Sequence, residues 1–439
     1  MDFILYFCSM KKAIYEFNFF YSFLLPGVNY ATRCHYRHID VRGTERLPED
    51  GPYILAPCHQ SALMDPLVVL QALGGPIVFL ARADIFAKPA ARAALTFLRI
   101  MPAYRIRDGR DQLGRNAETF GKSVEVLTHG VPLCLMAEGT HNDRHQLRPL
   151  VKGMFRIAGE AWKAINGVGE SAPEFDFEGS KPLYIVPVGL DYDEYEQPYS
   201  SVAMTVGTPI DVRPFMQDFL VNEPVALNHM RDALTKGLKS VMHHVGSMDR
   251  YDSEYAYCHL RTQEVVHRLG LPDSVAGRSV ARRFVSSQLA HMDEAQRQQC
   301  YDEGDAFAAD CRRRRVPLWF ASCRWTLKKG VLTLAAEVLL LIVVWPMLPW
   351  WLLANPVVYL PTLLVVKKWI KDPQFRSSID YGLRMLLTAL YLIGLFVGCC
   401  IASGLFYALL MVLLGLLSAR LTPLLYALTR DALYSYRSA

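Results

Sequence analysis

The hydrophobic positions between His38 and about Pro214 form short apolar runs that alternate with longer amphipathic segments. Short apolar runs predict buried strands, and segments with a helical spacing of apolar residues predict helices. The predicted strands are His38–Val41, Tyr53–Pro57, Ile77–Leu80, Leu133–Ala137, Tyr184–Val188 and Ala203–Val206. The predicted helices are Asp65–Leu73, Pro89–Phe97, Asp111–Leu127 and Lys152–Ala164. This alternation predicts an α/β domain in which helices cover a mixed sheet.

Strand signals stop after this region. Four helices are predicted between Pro224 and about Trp325, namely Leu227–Val245, Ser253–Leu269, Ser274–His291 and Glu294–Cys311. Two apolar runs follow, Val331–Val366 and Met385–Leu417, and each exceeds the roughly 20 residues that one straight membrane span needs. Each run could be one long span or a hairpin. Basic residues precede, separate and follow the runs, and the positive-inside rule therefore favours two hairpins with cytoplasmic flanks.

These patterns divide the chain into four parts. They are an N-terminal helix over 1–30, an α/β domain over 31–215, a helical region over 216–326, and a membrane region of two apolar hairpins over 327–439. The aromatic-rich N-terminal helix either lies in the membrane interface or packs on the domain. Met10, which precedes two lysines, is an alternative start to Met1.

A basic run, Arg312–Arg315, precedes Trp319, Phe320 and Trp325. Arginines and tryptophans just before an apolar segment are typical of an anionic headgroup contact with an aromatic belt. The plain alternative is a solvated charge run. The apolar run that follows favours the membrane interpretation.

Composition agrees with a polar body that carries a membrane end. The 439 residues are 52% hydrophobic, and the formal net charge of +5 suits an anionic membrane surface or phosphorylated substrates. No interleaved basic and aromatic motif points to nucleic acid. Ten cysteines at scattered spacings predict neither a zinc site nor a disulfide framework.

The chemistry-bearing residues begin at a strand-to-helix junction. His59 and Asp65 lie between the predicted strand Tyr53–Pro57 and the next helix, too far apart to pair on a regular helix. A turn would let Asp65 accept a hydrogen bond from one ring nitrogen of His59, which leaves the other nitrogen as a general base. The alternative is a buried histidine beside an aspartate that caps the helix.

Two further segments supply charge. The predicted strand that ends at Ala137 leads into Glu138, Gly139 and Thr140, and the cations Arg144, Arg148 and Lys152 follow before a helix. Cations and backbone N–H groups at a helix start are typical of a phosphate site. Arg105 and Arg107 point the same way from an extended segment, which also suits a phosphate monoester. Solvated turns or ion pairs are the alternatives.

The order of these segments resembles the glycerolipid acyltransferase family, which includes glycerol-3-phosphate and 1-acylglycerol-3-phosphate acyltransferases. The four blocks are His59-x5-Asp65, the Arg105/Arg107 segment, Glu138-Gly139-Thr140 and Val186–Gly189. Five residues separate the histidine from the aspartate, as in a subset of the family, whereas most members have four. Cys58 replaces the usual asparagine, and His141 replaces the usual arginine or serine.

The resemblance implies an O-acyltransferase of phospholipid synthesis. His59, oriented by Asp65, would deprotonate a phosphorylated glycerol acceptor that then attacks acyl-CoA or acyl-carrier protein, without a metal or other cofactor. Arg105, Arg107 and Arg144 would hold the acceptor phosphate, with Arg148 and Lys152 nearby. Glu138, Gly139 and Thr140 would shape the acceptor pocket.

The apolar runs and their basic flanks predict an integral membrane protein whose catalytic domain lies on the cytoplasmic face, with the lipid bilayer as its partner and no nucleic acid. Two other classes stay open. One is transfer to another lipid acceptor, such as a lysophospholipid or an amino-acid lipid, including acyl exchange between phospholipids. The other is a non-catalytic membrane scaffold on the same fold.

Overall fold

The computed structural model describes residues 13–104, 113–169, 176–177, 179–323, 327–343 and 353–438. The predicted residues Arg105 and Arg107 lie outside these ranges, as do Arg324, Trp325 and the first twelve residues.

Eight strands form one mixed sheet. They are β1 His38–Arg42, β2 Tyr53–Pro57, β3 Val78–Arg82, β4 Ile100–Ala103, β5 Leu133–Cys134, β6 Tyr184–Tyr192, β7 Ser201–Val206 and β8 Ile210–Asp211. The spatial order is β1-β7-β6-β2-β5-β3-β4, and β8 pairs with β6. The pairs of β6 with β7 and with β8 are antiparallel, and the others are parallel. The predicted mixed sheet is confirmed.

The central strand β2 has the predicted bounds, whereas its neighbours differ in length. The strand β5 ends at Cys134, before the predicted Ala137, and β6 continues past Val188 to Tyr192. Strand β4 was not predicted, and neither was β8. The carboxyl ends of β2, β5, β3 and β4 lie along one edge of the sheet because these strands are parallel.

Helices cover both faces of the sheet. Those of the α/β region are α1 Phe19–His35, α2 Met64–Leu73, α3 Pro89–Phe97, α4 Leu113–Thr128 and α5 Lys152–Asn166. The strand residues are almost continuously buried, as expected where both faces of a sheet are covered. Helix α1 extends beyond the predicted residue 30 to His35, and its residues Phe19, Phe20 and Phe23 are exposed.

Between the sheet and residue 323, the described secondary-structure elements are all helices. They are α6 Met216–Val221, α7 Glu223–Val241, α8 Tyr251–Arg268, α9 Val275–Leu289, α10 Glu294–Arg314 and α11 Leu318–Ala321. Helices α7 and α9 pack on the sheet, and α8 packs between α9 and α10. Each of the four helices predicted here is present, with its ends shifted by a few residues.

The predicted aromatic belt is wrong for the two described aromatic residues. Trp319 and Phe320 are buried and pack against Tyr434, so they cannot lie at a bilayer interface. The preceding arginines Arg312–Arg315 are exposed. Exposure is compatible with both a lipid headgroup contact and a solvated charge run. A contact of these arginines with lipid stays a prediction.

The C-terminal part is dominated by two long helices. The helices of this part are α12 Leu327–Val343, α13 Leu360–Trp369, α14 Pro373–Ser403 and α15 Leu405–Ser438, with a π-helical turn over Asn355–Tyr359. Among the described residues, α14 and α15 are the two helices long and apolar enough to cross a membrane. They meet at Gly404, whose φ of 88° favours glycine, and pack on each other as a hairpin.

Candidate active site

The sheet edge positions a histidine and a carboxylate in direct contact. Nδ1 of His59, just after β2, lies 2.7 Å from Oδ2 of Asp65, in the first turn of α2. The Asp65 side chain is fully buried, whereas the His59 side chain keeps 12% of its exposure. A carboxylate that accepts from Nδ1 fixes the tautomer and leaves Nε2 to take a proton. The hydrogen bond expected from the sequence is therefore present.

The Asp65 carboxylate also organises the loop around His59. Its Oδ2 accepts hydrogen bonds from the backbone N–H groups of Gln60, at 2.8 Å, and Ser61, at 2.9 Å. Its Oδ1 accepts a hydrogen bond from the Tyr192 hydroxyl. Burial, and then the charge of Asp65, raise the pKa of Tyr192, which keeps its phenol protonated as a donor. Four donors thus hold one buried carboxylate.

Tyr192 was not predicted from the sequence. The predicted strand ended at Val188, whereas β6 continues to Tyr192 and places its hydroxyl beside Asp65. The pairing of Pro57 with Val188 puts the extension of β6 next to the loop that carries His59. The only signal for Tyr192 in the sequence is the mostly apolar segment Val186–Tyr192, which is compatible with a longer strand.

Glu138 ties the loop after β5 to the loop after β2. Its Oε1 accepts from the backbone N–H of His59 at 3.2 Å, and its Oε2 accepts from the backbone N–H of Arg148 at 2.9 Å. The backbone N–H of Asn142 donates to the carbonyl of His59 at 2.9 Å. Burial raises the pKa of Glu138, although the two backbone donors oppose this shift. The Glu138 carboxylate therefore binds the backbone N–H groups of two loops. Its predicted contact with substrate stays a prediction.

We expect Glu138→Gln to displace His59 and destabilise the fold. A glutamine has one oxygen acceptor and would turn its amide toward one of the two backbone donors. The loss of a hydrogen bond to a buried group costs about 1–3 kcal/mol. Urea unfolding measures this change. The same substitution at the exposed Glu118 of α4 serves as the control, and equal stability of the two variants would contradict the role.

Gly139 and Thr140 form the turn that follows β5. Gly139 has a φ of 64°, and a Cβ at this position would lie 2.7 Å from Val151 Cγ1. Glycine is therefore required both by the backbone conformation and by the approach of the segment before α5. Thr140 is half-buried beside it.

The three described cations of the site are exposed. Arg144 lies over the ring of Tyr251 at 5.0 Å, and Arg148 donates to Asn142 Oδ1 at 3.3 Å. Lys152 is the first residue of α5. Arg82, at the carboxyl end of β3, lies at the same edge, where it forms an ion pair with Asp84 at 2.5 Å; it was not predicted from the sequence. Arg105 and Arg107 follow β4, which ends at this edge too.

The apolar hairpin begins at this site. The ring of His141 lies 5.6 Å from that of His59 and 5.1 Å from that of Phe375, in the first turn of α14. The hydroxyl of Ser378 accepts from the backbone N–H of Leu63 at 3.0 Å. Burial, and then the charge of His59, lower the pKa of His141. The loop that carries the histidine and aspartate is thus fixed to the base of the hairpin.

No group of three or more histidine, cysteine, aspartate or glutamate side chains in the described ranges could hold a metal ion. The prediction that no metal or resident cofactor is needed remains a prediction.

Comparison with known proteins identifies the region that contains this site. Residues 38–191 match the family model described as Acyltransferase. The chain is 30% identical over 120 residues to a chloroplastic 1-acyl-sn-glycerol-3-phosphate acyltransferase of Brassica napus, covering 27% of this chain and 33% of the relative. It is 28% identical over 123 residues to the human 1-acyl-sn-glycerol-3-phosphate acyltransferase alpha, covering 28% of this chain and 42% of the relative.

The chain spans about a third of the length of the first curated relatives it matches. The mouse 1-acyl-sn-glycerol-3-phosphate acyltransferase alpha is 26% identical over 200 residues, which cover 46% of this chain and 66% of that relative. The crystal structure of the 1-acyl-sn-glycerophosphate acyltransferase of Thermotoga maritima aligns with 54% of this chain and 87% of its own, with 17% identity and a TM-score of 0.35.

Proposed function

We propose that this chain, a member of the glycerolipid acyltransferase family through its residues 38–191, transfers a fatty acyl group from a thioester to 1-acylglycerol-3-phosphate. The observation that carries the proposal is the 2.7 Å hydrogen bond between His59 and a fully buried Asp65, at the sheet edge where cations also collect. The named acceptor comes from the relatives, whose names share this activity.

The geometry supports a general-base mechanism. Nε2 of His59 takes the proton of the acceptor hydroxyl while the oxygen attacks the thioester carbonyl. The tetrahedral intermediate then collapses, the C–S bond breaks, and the proton on His59 passes to the leaving thiolate. Asp65 holds the ring and stabilises the imidazolium that forms between these steps. A thioester is already activated, so no acyl-enzyme is needed.

The donor is proposed to be acyl-CoA or acyl-carrier protein. Both present the same thioester to His59, and they differ only in what surrounds it. Parallel rates with the two donors, at equal thioester concentration, decide between them.

Arg105 and Arg107 are proposed to hold the acceptor phosphate, with Arg144, Arg148 and Lys152 contributing charge. In the sequence both arginines come shortly after β4, which ends at the edge that carries His59, and paired guanidinium groups suit a phosphate monoester. Membership of the subset with five residues between His59 and Asp65 also remains a prediction.

We expect Arg105→Ala or Arg107→Ala to raise the acceptor KM by about 10- to 150-fold, because a charged hydrogen bond contributes roughly 1.5–3 kcal/mol. The donor KM should change little. Arg148→Glu and Lys152→Glu provide the comparison within the loop after β5. A rise confined to the donor KM would assign the two arginines to the donor phosphates instead.

The α14–α15 hairpin is proposed to enter the bilayer with its base on the cytoplasmic face. The apolar part of α14, from Met385 to Ser403, is about 28 Å long, close to the hydrocarbon thickness of a bilayer. Phe375 at the base contacts His141, so this insertion would hold the site at the membrane surface, where lipid substrates and products enter and leave.

We expect the segment between α13 and α14 to be accessible from the cytoplasmic side. Lys371 is exposed there, and its positive charge favours that side. A Lys371→Cys variant, compared with wild type in inside-out and right-side-out vesicles, should gain labelling by an impermeant maleimide only when the cytoplasmic face is outward. Labelling from the opposite face would contradict the hairpin arrangement and favour single membrane spans.

An acceptor panel tests the proposed function. The purified full chain receives one labelled donor with glycerol-3-phosphate, 1-acylglycerol-3-phosphate or 1-acylglycerophosphocholine. The proposal predicts the highest kcat/KM for 1-acylglycerol-3-phosphate. Preference for the choline lipid would favour transfer to another lipid acceptor, and the absence of transfer to all three would favour the non-catalytic scaffold.

A further inference from the structure

A buried arginine lies outside the region that matches the acyltransferase family. Arg282, on α9, is 2% exposed, and its Nε and Nη1 atoms have no hydrogen-bond partner in the described part of the chain. Within the same ranges, no carboxylate forms an ion pair with it. An isolated buried charge is strongly unfavourable, and buried charges in proteins are therefore paired. Arg282 is thus a buried cation without a direct ion-pair partner in the described part of the chain.

The neighbours of Arg282 on α9 locate its side chain. One turn earlier, the Ser279 hydroxyl donates to Oδ2 of Asp191 on β6. One turn later, the Ser286 hydroxyl lies 3.3 Å from the sulfur of Cys258 on α8. Residues three and four apart share one helix face, so Arg282 points into the space between β6 and α8.

Three buried histidines occupy the same space. The ring of His145 lies 5.2 Å from that of His243, and both stack with Tyr255, whose ring lies 4.6 Å from that of His259. Burial lowers the pKa of each histidine. The charge of Arg282 adds to this shift, whereas the charge of Asp191 opposes it at His145. All three rings are therefore neutral at physiological pH.

Several ring nitrogens of this cluster lack partners. Both ring nitrogens of His243 and the Nε2 of His259 are buried and unpartnered among the described residues. A neutral imidazole carries one N–H donor, and a guanidinium carries five. Arg282 Nε and Nη1, together with one ring N–H of His243, are therefore donors without an acceptor among the described residues.

We propose that a small monovalent anion, chloride in the cell, binds between Arg282, His243 and His259. The anion supplies the counter-charge for the guanidinium and accepts from the imidazole N–H groups. Asp191 forms no ion pair with Arg282 in the described ranges, and its oxygens accept hydrogen bonds from the His243 backbone and the Ser279 hydroxyl instead. That nearby carboxylate also disfavours a polyanion such as phosphate by repulsion.

The anion site adjoins the catalytic loop. Nδ1 of His145 lies 3.2 Å from Nε2 of Gln60, the residue that follows His59. Binding of the anion is thus expected to stabilise the loop that carries His59, through the contact between His145 and Gln60. The proposal does not depend on which acyl acceptor the enzyme uses, and its tests measure binding and stability rather than acyl transfer.

The first test compares the thermal stability of the full chain in chloride and in gluconate at constant ionic strength. Because a ligand that binds only the folded state raises the melting temperature, 100 mM chloride should raise it by about 2–4 °C. Arg282→Leu should remove this dependence. Arg283→Leu, which removes the neighbouring cation that donates to the Ser240 carbonyl, should retain it. Equal melting temperatures of the wild type in both salts would overturn the proposal.

The second test needs no variant and stays informative if Arg282→Leu fails to fold. Crystals of the wild-type chain grown with bromide in place of chloride should show an anomalous scattering peak within hydrogen-bond distance of the Arg282 guanidinium. An ordered water, or a carboxylate from another segment of the chain, at that position would refute the anion site.

Discussion

His59→Ala should lower kcat for acyl transfer by about 10²- to 10⁴-fold, the range that general acid–base groups contribute. The variant removes the ring whose Nδ1 is held by Asp65 at 2.7 Å and whose Nε2 is proposed to take the acceptor proton. The KM values for both substrates should change much less, since the proposed role lies in the chemical step. Steady-state kinetics with saturating donor measures both constants.

His229→Ala is the matched control, because His229 is an exposed histidine on α7 that pairs with an aspartate, Asp218. It should keep the wild-type kcat. Thermal unfolding and vesicle flotation of both variants separate a loss of chemistry from a loss of folding or membrane binding. If His59→Ala retained more than about a tenth of the wild-type kcat, His59 would not be the general base.

Asp65→Asn should reduce kcat by about 10²- to 10⁴-fold and also destabilise the protein. The carboxylate accepts from Nδ1 of His59, from two backbone N–H groups and from the Tyr192 hydroxyl. An asparagine would place its amide N–H₂ against at least one of these donors and would no longer stabilise the imidazolium. The free energy of unfolding should fall by about 1–3 kcal/mol.

Tyr192→Phe separates the two effects of Asp65. It removes one donor to the carboxylate but leaves the His59 contact intact, so stability should fall by about 1 kcal/mol while kcat stays within about tenfold of wild type. Chemical unfolding and kinetics on the same preparations measure both quantities. If Asp65→Asn had no larger effect on kcat than Tyr192→Phe, the carboxylate would stabilise the loop conformation without assisting His59 in catalysis.

The sequence predicted the elements whose pattern is local. Strand β2 and helix α3 have their predicted bounds, because an apolar run with loop signals on both sides, and a proline at the first helical position, mark their ends. Strand β5 is shorter than predicted, because the chain turns at Gly139 to reach α5. Strand β4 escaped prediction, because Pro102 interrupts a short run that pairs only at the sheet edge.

The candidate site shows the same division. The contact of His59 with Asp65 could be predicted, because both lie in one short loop. The roles of Tyr192 and Phe375 could not, because they come from segments far along the chain that only the fold brings to that loop. The aromatic belt prediction failed at Trp319 for a related reason, since a helix distant in sequence covers the indole.

The most direct measurement of the central claim is the stoichiometry of acyl transfer by the purified full chain. Free thiol released from the donor and diacylated product are quantified together, with and without 1-acylglycerol-3-phosphate. The proposed general-base mechanism predicts one thiol for each product molecule, negligible thiol release without acceptor, and loss of both signals in His59→Ala. Thiol release that proceeds without acceptor, or product formation that survives in His59→Ala, would contradict it.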